Sequence, residues 1–150
     1  TNQTALISYR YEMSPDFSSI RLFADISLSR DTSQKKSKSA AASGPIFSHV
    51  ITSIVQLRKR AFEPGDNAAQ WSAEQGELAI EGLSAAFARM EDLIPTALKM
   101  TSANVKAYNS KNHEQGYASG FNGPLLKRGG RAPDDILIWS KGLLQVHTLP

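Results

Sequence analysis

Ala5-Leu6-Ile7-Ser8-Tyr9-Arg10-Tyr11-Glu12-Met13 and Ile20-Arg21-Leu22-Phe23-Ala24-Asp25-Ile26-Ser27-Leu28 are the two stretches whose reading decides the fold. In the first, Ala5, Ile7, Tyr9, Tyr11 and Met13 are apolar or aromatic, and Ser8, Arg10 and Glu12 fall between them. Successive side chains of a strand point to opposite faces, so this alternation predicts a half-buried strand. In the second, Ile20, Leu22, Ala24, Ile26 and Leu28 share one face, while Arg21, Phe23, Asp25, Ser27 and Ser29 share the other. Ser14-Pro15-Asp16 lies between the two runs. Proline fixes φ and aspartate bonds its own backbone, so the pair predicts a turn and an antiparallel hairpin.

Working outward, residues 31–45 are small and polar and include Lys35, Lys36 and Lys38, which predicts a mobile loop between strands. A third strand is expected from Ile46 to about Arg58. Val50, Ile51, Thr52, Ile54 and Val55 are β-branched, and Gly44-Pro45 precedes them. Glu63-Pro64-Gly65-Asp66 breaks the chain, and Asp66 or Asn67 can cap a following helix. That helix is expected to turn Trp71, Gln75, Leu78, Leu83, Phe87, Met90 and Ile94 inward, with Glu74, Glu77, Glu81 and Arg89 outward. Gly76 and Gly82 each weaken it by about 1 kcal/mol relative to alanine. Pro95 is expected to kink or end it, with a second helical piece over 96–108.

Residues 109–131 hold five glycines and read as one long Gly-rich loop. Ile136-Leu137-Ile138-Trp139, Ser140-Lys141-Gly142 and Leu143-Leu144-Gln145-Val146-His147 predict a second hairpin. The fold class is therefore α+β in a single domain over residues 1–150. A mostly antiparallel sheet, with the N-terminal hairpin, the third strand and the C-terminal hairpin, packs one face against a central helical region. The two tyrosines at positions 9 and 11 are expected to pack in the core beneath that region, the alternative being an exposed sheet face, with Arg10 opposite, on which they stack nucleic-acid bases.

Bulk composition fits a soluble globular domain. Apolar residues make up 41% and charged residues 21% of the 150. There is no cysteine, which excludes disulfides and thiolate zinc sites. No stretch reaches the roughly 18 apolar residues of a membrane helix. The net charge is only +3, although the isoelectric point is near 9.3. A start at Thr1 rather than Met points to a trimmed or mature product.

Motifs that carry chemistry are missing their partners. His49, His113 and His147 have no metal-ligand spacing, and His113-Glu114 lacks the second histidine of a zinc-protease helix. Ser119-Gly120 does not complete a nucleophile elbow, because position 117 is Tyr. Glu91-Asp92 are adjacent on a helix and diverge. Asp134-Asp135 follows Pro133 and reads as turn chemistry. Gly129-Gly130-Arg131 matches no phosphate loop. No catalytic residue, cofactor site or metal site is assigned, and the expectation is a chain that is not an enzyme. Lys35, Lys36, Lys38, Arg58, Lys59 and Arg60 keep an alternative open: a small basic module binding nucleic acid through phosphates.

Three segments carry a resemblance. The hairpin from Tyr9 to Leu28, the run Asn67-Ala-Ala-Gln-Trp-Ser-Ala-Glu-Gln-Gly heading a helix that reaches Asp92-Leu93-Ile94, and the closing stretch from Ile138-Trp139 to Val146 resemble segments of uncharacterised bacterial cell-envelope proteins, several of them lipoproteins. The resemblance covers about half the chain and carries no functional residues over. It implies a periplasmic or outer-membrane-associated protein that works by binding or assembly. Its partners would be proteins or envelope components met through strand edges or the 109–131 loop, with a homo-oligomer among the expectations.

Overall fold

In a computed structural model, which describes residues 3–30, 45–115 and 120–150, the two ends of the chain meet in one sheet. The elements run β1 (Gln3–Met13), β2 (Ser19–Arg30), β3 (Pro45–Gln56), α1 (Pro64–Leu98), α2 (Ser102–Asn109), β4 (Leu125–Arg128), β5 (Ile136–Trp139) and β6 (Leu143–Thr148). The sheet is six-stranded, in the order β1-β2-β3-β6-β5-β4. Every neighbouring pair is antiparallel except β3 and β6, which run parallel at the centre. An N-terminal meander and a C-terminal meander are thus joined along their inner strands, and the α1–α2 crossover makes the parallel pairing possible. The α+β architecture read from the alternation holds, with one strand more than the sequence announced. That strand, β4, lies inside the expected 109–131 loop. The expected 31–45 loop falls outside the described residues, apart from Pro45, which opens β3.

One face of the sheet meets α1. Leu22, Ala24, Ile26, Ile51, Val55 and Leu143 rise from it and close on Trp71, Ala86, Met90, Leu93 and Ala97 of the helix. The opposite face carries a smaller cluster of Ile54, Ile138, Leu144 and Val146, covered by Phe121 and flanked by Leu125 and Ile136. Part of the Gly-rich segment is therefore committed to packing rather than free.

The start of α1 differs from expectation. Glu63 is the N-cap and makes no side-chain cap bond, and Pro64 occupies the first turn, where a missing N–H costs nothing. Asn67 does not cap; it is fully buried. Its Oδ1 accepts from the Ala61 amide at 2.7 Å, and its Nδ2 donates to the Asp16 and Ala61 carbonyls at 2.9 and 3.1 Å. The helix is also interrupted, at Ala73–Gly76 rather than at Pro95. Glu74, Gln75 and Gly76 take positive φ there, and Pro95 sits within the helix near its end. Gln75, expected inward, is exposed at this break, and so is Phe87 further along. Arg89, expected outward, is buried. Thr101 then caps α2 through a reciprocal pair of bonds with Asn104.

Candidate functional site

The strand that decided the fold is also the one the fold leaves open. Among the described residues, strand β1 lies at the end of the sheet and pairs only with β2, from Gln3 opposite Arg30 to Met13 opposite Ile20. Helix α1 packs mainly over β2, β3 and β6 and reaches β1 through Phe87, which meets Tyr9. The expected burial of Tyr9 and Tyr11 is therefore wrong: Tyr9 is 47% and Tyr11 72% exposed, beside Leu6 at 66% and Ile7 at 37%. Alternation correctly gave the strand but could not give its place in the sheet. Of the whole strand only Met13 is half-buried.

Its outer edge is chemically inviting. Natural edges are blunted by lysine, proline, bulges or brevity. Strand β1 has eleven residues with no proline and no lysine, and it pairs with β2 without a register shift. On its helix-side face the Tyr9 ring meets Phe87 edge-on, with centroids 5.5 Å apart, and Ile80 is also exposed on the helix. On the other face Arg10 lies 4.1 Å over the Phe23 ring and 3.7 Å from Asp25, so the one positive charge of the strand is tied back into the sheet. The opposite edge, β4, shows the contrast. It has four residues, two of them Lys127 and Arg128, and a register shift against β5.

The densest polar cluster lies under α1. Arg89 places Nε 3.1 Å and Nη2 3.0 Å from Oδ2 of Asp135, and His147 Nδ1 is 2.7 Å from Oδ1. The same Nδ1 is 2.9 Å from Arg89 Nη2. A protonated Nδ1 donates to Asp135, and an unprotonated one accepts from Arg89. Asp135 also accepts from the Ala132 amide at 3.3 Å, and Arg89 Nη1 donates to the Ala85 carbonyl at 3.1 Å. Asp135 is fully buried, and Arg89 nearly so. A carboxylate and an imidazole side by side suggest proton transfer, and with Asp134 they bring three ligand-type atoms within 4.8 Å of one another. The guanidinium already holds the place a cation would take, and both Asp135 oxygens and Nδ1 are engaged with it. The donor set therefore suits a closed ion network better than a metal.

Two open clefts lie elsewhere. One, of about 270 Å³, runs between the β1–β2 turn and Phe121 and is lined by Ser14, Asp16, Arg21 and Arg60. Asp16 there accepts from both Ser14 and Ser18, and these bonds, led by Ser18, hold its pKa down at about 2. The other, of about 440 Å³, is lined by His49, Val105, Asn109, Trp139 and Lys141. Burial pushes the His49 pKa below its ordinary value. His49 packs on Trp139, and the histidine that meets a carboxylate is His147, on Asp135.

Of the basic residues singled out from the sequence, Arg58, Lys59 and Arg60 are among the described residues. Lys35, Lys36 and Lys38 lie outside the described residues. Arg58 donates to Asp134 at 3.1 Å and to the Leu149 carbonyl at 3.0 Å. Arg60 is paired with Asp16 at 3.2 Å. Lys59 contributes its backbone carbonyl to Gln70. Glu91 and Asp92, read as diverging, both reach Arg131, at 3.4 and 2.7 Å. No family model, curated protein or solved structure matches the chain.

Proposed function

We propose that this protein is a non-enzymatic component of the bacterial cell envelope that works by binding or assembly, with β1 as its contact element. The observation that carries the reading is the long, unblunted, aromatic edge described above. An unpaired edge offers backbone donors and acceptors for affinity and alternate side chains for selectivity, the mode called strand addition. The envelope location is supported by the resemblance of the hairpin from Tyr9 to Leu28 and of the helix from Asn67 to Ile94. The nucleic-acid reading loses support from Arg58 and Arg60, whose guanidinium groups are each engaged by an aspartate.

The test is site-specific photo-crosslinking in the cells that make the protein. A benzophenone side chain is placed at Leu6 or Tyr11, both exposed on β1, or at Glu77, exposed on α1. Adducts are expected from the two β1 positions, in the envelope fraction, and not from Glu77. Adducts of equal yield at all three positions, or a protein found wholly in the cytosolic fraction, would refute the proposal.

A further inference from the structure

We infer that the occupant of the β1 edge is a second copy of this chain, paired antiparallel about Ser8 so that two sheets become one. The inference rests on the edge reading above and adds the identity of the partner. Its warrant is that β1 is complementary to itself. In an antiparallel pair, directly opposed residues must present the same backbone side, so about a twofold axis odd residues face odd and even face even. On the odd, helix-side face every residue from Ala5 to Met13 is apolar or aromatic. A register about Ser8 therefore sets apolar against apolar from Ala5 to Tyr11, with Met13 opposite Gln3.

Charge narrows the register. Centring on Arg10 would oppose two arginines, which is unfavourable. Ser8 is the midpoint of Gln3–Met13, so centring there pairs the strand over its full length. Ile7 then faces Tyr9, Ala5 faces Tyr11, Arg10 faces Leu6 and Glu12 faces Thr4, and no like charges are opposed. The strand carries one arginine and one glutamate, so two copies do not repel through it. Phe87, exposed on α1 and in edge contact with Tyr9, extends the apolar surface on each side of the axis. The alternative head-to-tail contact, β1 against β4, matches eleven residues to four with a register shift and two cations. Closure by a twofold is favoured over a growing chain.

The experiment uses the purified chain. Sedimentation velocity over a concentration series is expected to approach twice the 16.3 kDa of one copy. Ile7→Lys is expected to weaken that association at least about tenfold, by placing charge in the apolar row. Because the chain has no cysteine, Ser8→Cys supplies a clean register probe. Opposed residues lie within disulfide reach, so mild oxidation should give a covalent dimer that reducing agent reverses. Ser102→Cys, exposed on α2 away from this edge, should not give one. A circular-dichroism check that Ile7→Lys remains folded separates lost pairing from lost structure. A native chain that stays monomeric at high concentration, with Ser8→Cys no more crosslinked than Ser102→Cys, overturns the inference. If β1 still forms adducts in cells in that case, the edge reading survives and the partner is a different protein. If it does not, both fall.

Discussion

Asp135 is the residue on which most of the buried polar structure depends. Its carboxylate answers an arginine from α1 and a histidine from β6 at once, with no exposure of its own. Removing one partner of a buried pair strands the other charge in a poor solvent. Asp135→Ala is expected to cost about 3–5 kcal/mol in urea unfolding. A loss below about 1 kcal/mol would mean that the network contributes little. Single groups also set the pH response. His49 binds its proton less readily when folded than its ordinary value of 6.5 allows, so the unfolded chain takes up more protons as the solution is acidified. Stability is expected to fall as pH drops below about 6.5, and His49→Gln should flatten that part of the curve. Asp16 acts lower, since its stabilisation is complete above pH 3.8 and is lost as pH falls toward about 2. None of the Asp135 network was read from sequence, because Arg89 is 46 residues from Asp135 and no local pattern brings them together. Arg89 did carry a signal. It falls at helical spacing with Gly82, Ala86, Leu93 and Ala97, all buried, yet a charged side chain was assigned to solvent by default.

Among the elements, α1 shows how close contact is bought with a helix-weakening residue. A Cβ added at Gly82 would lie 2.9 Å from Cζ3 of Trp71 and 3.3 Å from Cδ1 of Ile20. The Trp71 ring cannot easily slide, since its Nε1 donates to the Phe17 carbonyl at 2.8 Å. Alanine would gain about 1 kcal/mol of helix propensity but meet an overpacking cost of about 1–3 kcal/mol. Gly82→Ala is therefore expected to lower the thermal midpoint, and a raised midpoint would show that the helix stands off the sheet. Element legibility followed the strength of local pattern. Strands β1 and β2 carry nine or more alternating residues and were readable. Strand β4 is four residues between Gly123-Pro124 and Gly129-Gly130, so turn residues outweighed it. The break at Ala73–Gly76 was missed because the apolar residues on either side of it still fit one stripe, and Pro95 was the more conspicuous breaker.

At the scale of the whole molecule, the crossover decides what is covered. Joining β3 to β6 puts both strands under α1 and leaves β1 at the edge of the sheet, where the helix reaches it only at Tyr9 through Phe87 among the contacts described. The same alternation that made β1 legible as a strand left its apolar face largely exposed, and local pattern cannot report which strands end at an edge. The candidate site was legible only as a generality, that strand edges would make contacts. Amide hydrogen exchange reads this claim most directly, comparing β1 in dilute and concentrated solution. The amides of β1 that face away from β2 are expected to gain protection as concentration rises, while those of β4 do not. Outward β1 amides that exchange at the same rate at both concentrations would contradict the pairing of two copies through this edge.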